Sequence, residues 1–199
     1  MPRLLLASNN RGKVAEYRRL LAGIPYQLVT PSELELDFSV AESGKSFEEN
    51  AILKATAYAA ASGLLTIADD SGLEVDALGG EPGVLSARYA GANASDSQRN
   101  EYLLSRLKHV PMERRQARFR CVIALASPKG LIGTVSGECE GLIALEPKGE
   151  YGFGYDPVFY LPQMGKTMAE LPLKEKNKLS HRARAAAKLK TLLKSIKAK

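Results

Sequence analysis

Apolar and polar positions along the chain change period several times, and each change marks an element. Leu4, Leu5, Leu6 and Ala7 form a continuous apolar run of strand length. Ser8-Asn9-Asn10 then supplies capping side chains, and Val14, Tyr17, Leu20 and Leu21 recur at helical spacing. The expectation is a strand, a tight polar turn and a helix. A short strand near Gln27 to Val29 precedes a loop broken by Pro31 and Gly44. Ser46 and Glu49 have the spacing of a capping box, and Phe47, Ala51, Ala55, Tyr58 and Ala59 make a stripe on a helix ending before Gly63. A second apolar run, Leu64, Leu65, Ile67 and Ala68, ends in Asp69 and Asp70. Ser71-Gly72, Gly79-Gly80 and Pro82-Gly83 follow as turn punctuation, so a buried strand with two acids at its end is expected. Ser95 or Asp96 caps a helix through Leu103, Leu104 and Leu107. Ala117 to Ala126 alternates, and after Ser127-Pro128-Lys129-Gly130 a partner strand runs from Leu131 towards Leu145 as a long antiparallel hairpin. Pro157 to Tyr160 reads as a strand. Ser180 caps a last helix whose face carries Ala183, Ala186, Leu189, Leu193 and Ile196.

Composition adds class and compartment. The 199 residues, 45% hydrophobic and 25% charged, suit one soluble domain spanning 1–199, with no internal repeat, low-complexity run or linker. No apolar run approaches the roughly 18 residues a membrane span needs, and the amino end lacks a signal-peptide core, so a cytoplasmic protein without membrane partners is expected. Cys121 and Cys139 lack metal-ligand spacing and read as buried free thiols. The net charge of +6 is uneven. From Lys174 to Lys199 ten basic residues face Glu175 alone, whereas eighteen basic and twenty-one acidic residues make up the rest. Such a basic tail is either a solvated helix face or a collector of anionic ligands. It interleaves no aromatics as a base-stacking surface would.

Candidate chemistry lies at the element ends. Adjacent strand residues face opposite sides, so Asp69 and Asp70 do not share one pocket, and one acid at a site is the economical expectation. A plain Asp-Asp-Ser-Gly turn fits the same residues. The turn from Ser8 to Lys13 aims backbone N–H groups, a helix dipole and a lysine at one place, which suits phosphate, although the Walker glycine pattern is absent and a simply capped helix fits too. Glu49 is explained by capping, whereas Glu42, in the loop before that helix, could face a metal. Gly149 to Tyr155 holds three glycines and three aromatics, either clamping a flat ring or forming a turn with core aromatics. His181 and Arg182 occupy the first turn of the last helix, beside Lys176, at its positive end.

Taken in order, SNNRGK at 8–13, SFEENAILKA at 46–55, ADDSGLEVDALGGEPGVLSARYAG at 68–91, FGYDPVF at 153–159 and SHRARA at 180–185 resemble the inosine triphosphate pyrophosphatase family, in its bacterial non-standard purine branch. The resemblance implies an α/β fold whose long, mixed, twisted sheet is flanked by helices in two lobes with a substrate cleft between them. It also implies a homodimer, Mg2+ as cofactor, and hydrolysis of ITP, dITP and XTP to the monophosphate and pyrophosphate, which removes deaminated purines from the nucleotide pool. Carried onto this sequence, it makes Asp70 the catalytic carboxylate and, with Glu42, a metal ligand, while Ser71 touches substrate. Ser8, Asn9, Asn10, Arg11, Gly12, Lys13 and Lys176 become triphosphate contacts. Phe153, Gly154, Tyr155 and Asp156 hold the nucleoside, and His181 and Arg182 read the base. Arg182 can only donate hydrogen bonds, which suits the 6-oxo group of hypoxanthine or xanthine and disfavours the 6-amino group of adenine. Rival readings are a pyrophosphatase for modified pyrimidine or ordinary deoxynucleoside triphosphates and, more remotely, a basic-tailed nucleic-acid-binding protein. The expected partner is a small nucleotide, not nucleic acid.

Overall fold

The computed structural model describes residues 1–197, so Lys199, the last lysine of the basic run, lies outside the described residues. Seven strands form one mixed sheet: β1 (Arg3–Leu6), β2 (Gln27–Val29), β3 (Leu65–Val75), β4 (Gln116–Ser127), β5 (Gly130–Ile143), β6 (Phe159–Leu161) and β7 (Lys166–Thr167). Their order is β2-β1-β3-β4-β5-β6-β7. The α-helices are α1 (Arg11–Leu20), α2 (Phe47–Ser62), α3 (Asp96–Arg106), α4 (Leu173–Leu179) and α5 (His181–Lys197). The residues divide into two compact units, and β3, β4 and β5 each contribute part of their length to either one.

The first unit comprises, among the described residues, 1–70, 121–137 and 182–197. Here β1 pairs in parallel with β2 (Leu4 opposite Leu28) and with β3 (Leu5 opposite Thr66), the arrangement that helical crossovers between strands produce. Leu4, Leu6, Ile67, Cys121, Ile123 and Leu125 pack with Tyr17 and Leu21 of α1 and with Ala185, Ala186, Leu189 and Leu193 of α5. The apolar stripe of α5 is therefore core, and Lys188 and Lys194 lie on its exposed side. Asn10 caps α1, its Oδ1 accepting from Lys13 N–H at 3.0 Å, and Ser46 caps α2 by accepting from Glu49 N–H at 3.1 Å. The Glu49 carboxylate reaches the N–H of Lys45 rather than that of Ser46, so the reciprocal half of the capping box closes one residue early.

The second unit comprises residues 71–120 and 138–181. Its core gathers Leu73, Val75, Leu103, Leu107, Phe119, Ile143, Tyr155, Val158, Phe159 and Leu161, and the antiparallel pairs β5–β6 and β6–β7 extend the sheet. Ser95 completes the capping box of α3 with Gln98.

Three expectations need correction. The strand expected to stop at the two acids runs on to Val75, so Asp69-Asp70-Ser71-Gly72 is mid-strand and not a turn. The acids tolerate that position because cationic side chains meet both of them, and turn geometry first appears at Asp76 to Gly80. The strand expected from Pro157 begins at Phe159, after a 3-10 turn over Asp156–Val158. The partner strand of the hairpin ends at Ile143, short of Leu145. Before α5 there is a further helix, α4, which starts after Pro172 and ends at Ser180; α5 begins at His181, so Ser180 keeps the place expected for it at the start of the last helix.

Candidate active site

In the first unit, β3 presents Asp69 and Asp70 to opposite sides, as strand alternation requires. Asp69 is buried. Its Oδ1 lies 2.9 Å from Lys13 Nζ and its Oδ2 3.3 Å from Arg182 Nε, while Arg182 Nη1 binds Glu16 Oε2. Two acids and two bases thus close a buried cluster in which Glu16 and Arg182 are each 2% exposed. Burial alone would raise the Asp69 carboxyl, but the charges of Lys13, Arg182 and Lys54 hold it well below the usual carboxylate range. Burial likewise opposes the charge of Arg182, yet Glu16 and Asp69 hold that group well above its ordinary value. Cys121, 3.8 Å from Asp69 Oδ2, is pushed up to about 12 by burial and by Asp69, so it stays a thiol and offers no nucleophile.

Asp70 has different surroundings. Asn50 Nδ2 donates to its Oδ2 at 3.0 Å, and Lys54 Nζ lies 3.2 Å from its Oδ1. The same ammonium donates to Glu42 Oε1 at 2.7 Å and to the Asp69 carbonyl at 2.8 Å. Burial raises the Asp70 carboxyl, Lys54 opposes that, and the charge of Glu42 raises it further. Two neighbouring acids therefore behave oppositely: Asp69 is fixed as a saturated anion, and Asp70 is the better proton acceptor. For Lys54 burial works against the charge, but Asp70, Asp69 and Glu42 outweigh it and keep the amine protonated.

The loop before α2 is tied to this arrangement by Gly44, whose N–H donates to Asn50 Oδ1 at 2.8 Å. Asn50 thus uses its oxygen on the loop that carries Glu42 and its nitrogen on Asp70. Asn50, Lys54 and Glu16 were not singled out by the sequence reading. The signal was a polar pair at i and i+4 inside the buried stripe of α2, next to Ala51 and Ala55, where each polar group needs a partner.

Of the other residues expected to contact phosphate, Ser8 Oγ accepts from Asn10 N–H at 3.2 Å, and Asn9 Oδ1 accepts from Ser32 Oγ at 2.8 Å. Asn9, Asn10 and Arg11 are exposed, and Gly12 and Lys13 are half-buried at the start of α1. Arg182, expected at a base, has Nε on Asp69 and an Nη on Glu16. Any donation to a 6-oxo group would come from its other N–H groups.

In the second unit, Phe153, Gly154, Tyr155, Asp156 and Lys176 come together. Lys176 Nζ meets Asp156 Oδ2 at 2.5 Å and lies 4.9 Å from the centre of the Phe153 ring. The same Asp156 oxygen accepts from Phe153 N–H at 2.9 Å. A Cβ at Gly152 would fall 2.0 Å from Asp156 Oδ2, so the loop closes this tightly only around glycine. Tyr151 is exposed and Phe153 half-buried, whereas Tyr155 is a core residue whose hydroxyl donates to the Ser86 carbonyl at 2.8 Å. The reading of core aromatics in a glycine-rich turn therefore holds for Tyr155, whereas Tyr151 and Phe153 keep ring surface open to solvent. His181 is buried and stacks on Phe119 at 4.8 Å, and Ser71 is half-buried next to Asp70 in β3.

Comparison with known proteins gives one consistent family. The model of the Ham1 family matches residues 4–192. A dITP/XTP pyrophosphatase of Geobacter sulfurreducens is 53% identical over 96% of this chain and 96% of its own. That of Bacillus subtilis is 50% identical over 97% of this chain and 98% of its own. Among solved structures, a HAM1 protein from Coxiella burnetii superposes with a TM-score of 0.88 at 42% identity, covering 98% of this chain and all of that one. The Ham1 protein of Staphylococcus aureus gives 0.87 at 46%, covering 97% of this chain and 98% of its own.

Proposed function

Since the chain belongs to the Ham1 family, we propose that Asp70 is the proton-accepting carboxylate of a magnesium-assisted hydrolysis at its nucleotide site. The protein hydrolyses non-standard purine nucleoside triphosphates, the activity for which relatives sharing half its residues over nearly their full length are named. The observation that carries the assignment to Asp70 is its setting, buried between Asn50 and Lys54 with its carboxyl raised. A carboxylate so placed takes a proton from water more readily than an exposed one.

Magnesium suits the same residues. Asp70 and Glu42 already converge on one cationic point, the Lys54 ammonium, and a further positive charge there would offset the burial, and the lesser repulsion from Glu42, that raise Asp70. Among the described residues no three His, Cys, Asp or Glu side chains form a cage. Asp70 and Glu42 would thus hold the ion in the usual magnesium manner, with one or two carboxylates and the remaining positions left to water and phosphate. Bound there, it would neutralise phosphate charge and polarise the attacking water. Lys54 and Lys13 add fixed positive charge for the triphosphate, and Asn50 orients Asp70 by holding one of its oxygens. Cys121 being a buried thiol, direct attack by water on the α-phosphorus fits better than a covalent intermediate.

The decisive assay is a panel of nucleoside triphosphates with Mg2+, read for pyrophosphate. ITP, dITP and XTP should be turned over at least about a hundredfold more efficiently than ATP, because adenine offers an amino group where the site's donors expect an oxygen. Comparable turnover of ATP would defeat the reading. Omitting Mg2+ should abolish turnover. Gly44→Ala offers a second check. Its Cβ would meet Asn50 Oδ1 and Glu49 Cβ at 2.7 Å, so the loop bearing Glu42 must shift, and activity should fall on the order of tenfold or more. The reading includes a cytoplasmic homodimer, for which light scattering should give about twice the 21.5 kDa chain mass. No helix among the described residues is long and apolar enough to cross a membrane.

A further inference from the structure

Gly154 lies in the left-handed region at φ +64°, and side chains of α3 hold the two peptide groups that flank it. Its N–H donates to Asp96 Oδ2 at 2.6 Å, and its carbonyl accepts from Asn100 Nδ2 at 3.1 Å. Asp96 and Asn100 stand four residues apart and so share one face of the helix. The other Asp96 oxygen is bound by Arg99, whose guanidinium also donates to the Ala94 carbonyl at 2.5 Å and the Ala87 carbonyl at 2.9 Å. The carboxylate is therefore braced before it meets the loop. Asn100 is 3% exposed, and its Oδ1 has no hydrogen-bond partner among the described residues. A leucine of similar volume would leave no orphaned oxygen there, so the asparagine is explained by its donor, which has one recipient, Gly154. The residues on either side are anchored separately, Phe153 through Asp156 and Lys176, and Tyr155 through Ser86.

We propose that Asp96 and Asn100 are positioning residues for the nucleoside-holding loop. Resting on the reading above, in which Phe153 to Asp156 hold the nucleoside, they fix the Gly154 peptide so that the Phe153 ring keeps one orientation over Lys176. They touch no reacting atom. Their effect falls on nucleoside binding and leaves the phosphate chemistry of Asp70 alone.

The test compares the parent protein with Asn100→Leu, Asp96→Ala and Asp96→Asn. Each is measured for KM and kcat on ITP, for inhibition by inorganic tripolyphosphate, which has no nucleoside, and for melting temperature. Losing one clamp bond should raise KM for ITP about five- to tenfold, with kcat and the tripolyphosphate inhibition constant changing less than about twofold. Asp96→Asn keeps an oxygen for the Gly154 N–H and should stay within about twofold of the parent KM. The clamp is refuted if folded Asp96→Ala has the parent KM, if KM and the inhibition constant rise in step, or if Asp96→Asn is as impaired as Asp96→Ala. Should Asn100→Leu fail to fold, Asp96→Ala decides, since its side chain is 45% exposed and its removal leaves the core intact. A parent without ITP turnover sinks the functional reading itself, whereas an active parent with unaffected variants sinks only the clamp.

Discussion

Replacing Asp70 with asparagine is expected to lower pyrophosphate release from ITP by a factor of about a hundred or more and, without nucleotide, to raise the melting temperature. The two effects share one cause. Burial makes the charged form of Asp70 less favourable in the folded protein than in the unfolded chain, and the nearby charge of Glu42 adds to this. The sign follows from linkage. A folded-state carboxyl raised above its unfolded value takes up protons first in the folded protein, so ionisation costs stability at neutral pH. Asparagine resembles the protonated acid in shape and has no charge, and Lys54 keeps Glu42 and the Asp69 carbonyl as partners. Stability would therefore rise as the proton-accepting group is lost, a trade common at active sites. A variant that melts below the parent would contradict the electrostatic account. One that retains turnover would move the base to Glu42, because Asp69 is already saturated by Lys13 and Arg182.

The second large effect concerns the neighbouring acid. Glu16→Ala leaves the Arg182 guanidinium in the interior with Asp69 as its remaining carboxylate contact in the cluster, and breaking a buried ion pair from one side costs about 3–5 kcal/mol. For a chain of this length each kcal/mol lowers the melting temperature by about 2–4 °C. The expected fall is therefore roughly 6–20 °C, measured by calorimetry or circular dichroism. Glu16→Gln, which retains an acceptor, should fall less. A change under about 2 °C would show that the cluster contributes no net stability. The pH dependence has its own sign. The folded Asp69 carboxyl lies below its unfolded value of about 3.9, so its contribution is complete above that pH and is lost as pH falls through the acid range. Acid unfolding of Asp69→Asn, compared with the parent, should show a shallower loss below about pH 4.

Much of the fold was legible because periodicity and caps agreed. Ser46, Asn10 and Ser95 cap where polar residues precede apolar stripes, and the alternation from Phe119 to Leu125 marks β4. Legibility failed where tertiary partners override local preference. Two adjacent aspartates argue for a turn until Lys13, Lys54 and Arg182 are placed beside them, and those residues come from three separate helices. The short α4 has apolar residues only at its ends, Leu173 and Leu179, so no helical stripe marks it. In the site, Asp70, Glu42 and Lys13 could be named from motifs, and the opposite facing of Asp69 and Asp70 followed from strand geometry. The opposite shifts of the two carboxyls could not be read, because they depend in part on Asn50 and Lys54, polar residues on a helix whose pattern is explained by packing alone.

The first unit also sets a timetable for the growing polypeptide. Asp69 and Glu16 leave the ribosome 113 and 166 positions ahead of Arg182, the guanidinium that joins them. Residues 1–70 therefore emerge with Asp69 and Glu16 destined for the interior, Lys13 and Lys54 at hand for Asp69, and the guanidinium that meets Glu16 still to come. Domains on the ribosome tend to mature from the amino end; this half of the molecule must instead wait for its closing helix, so it is completed only after the whole of the second unit has been made.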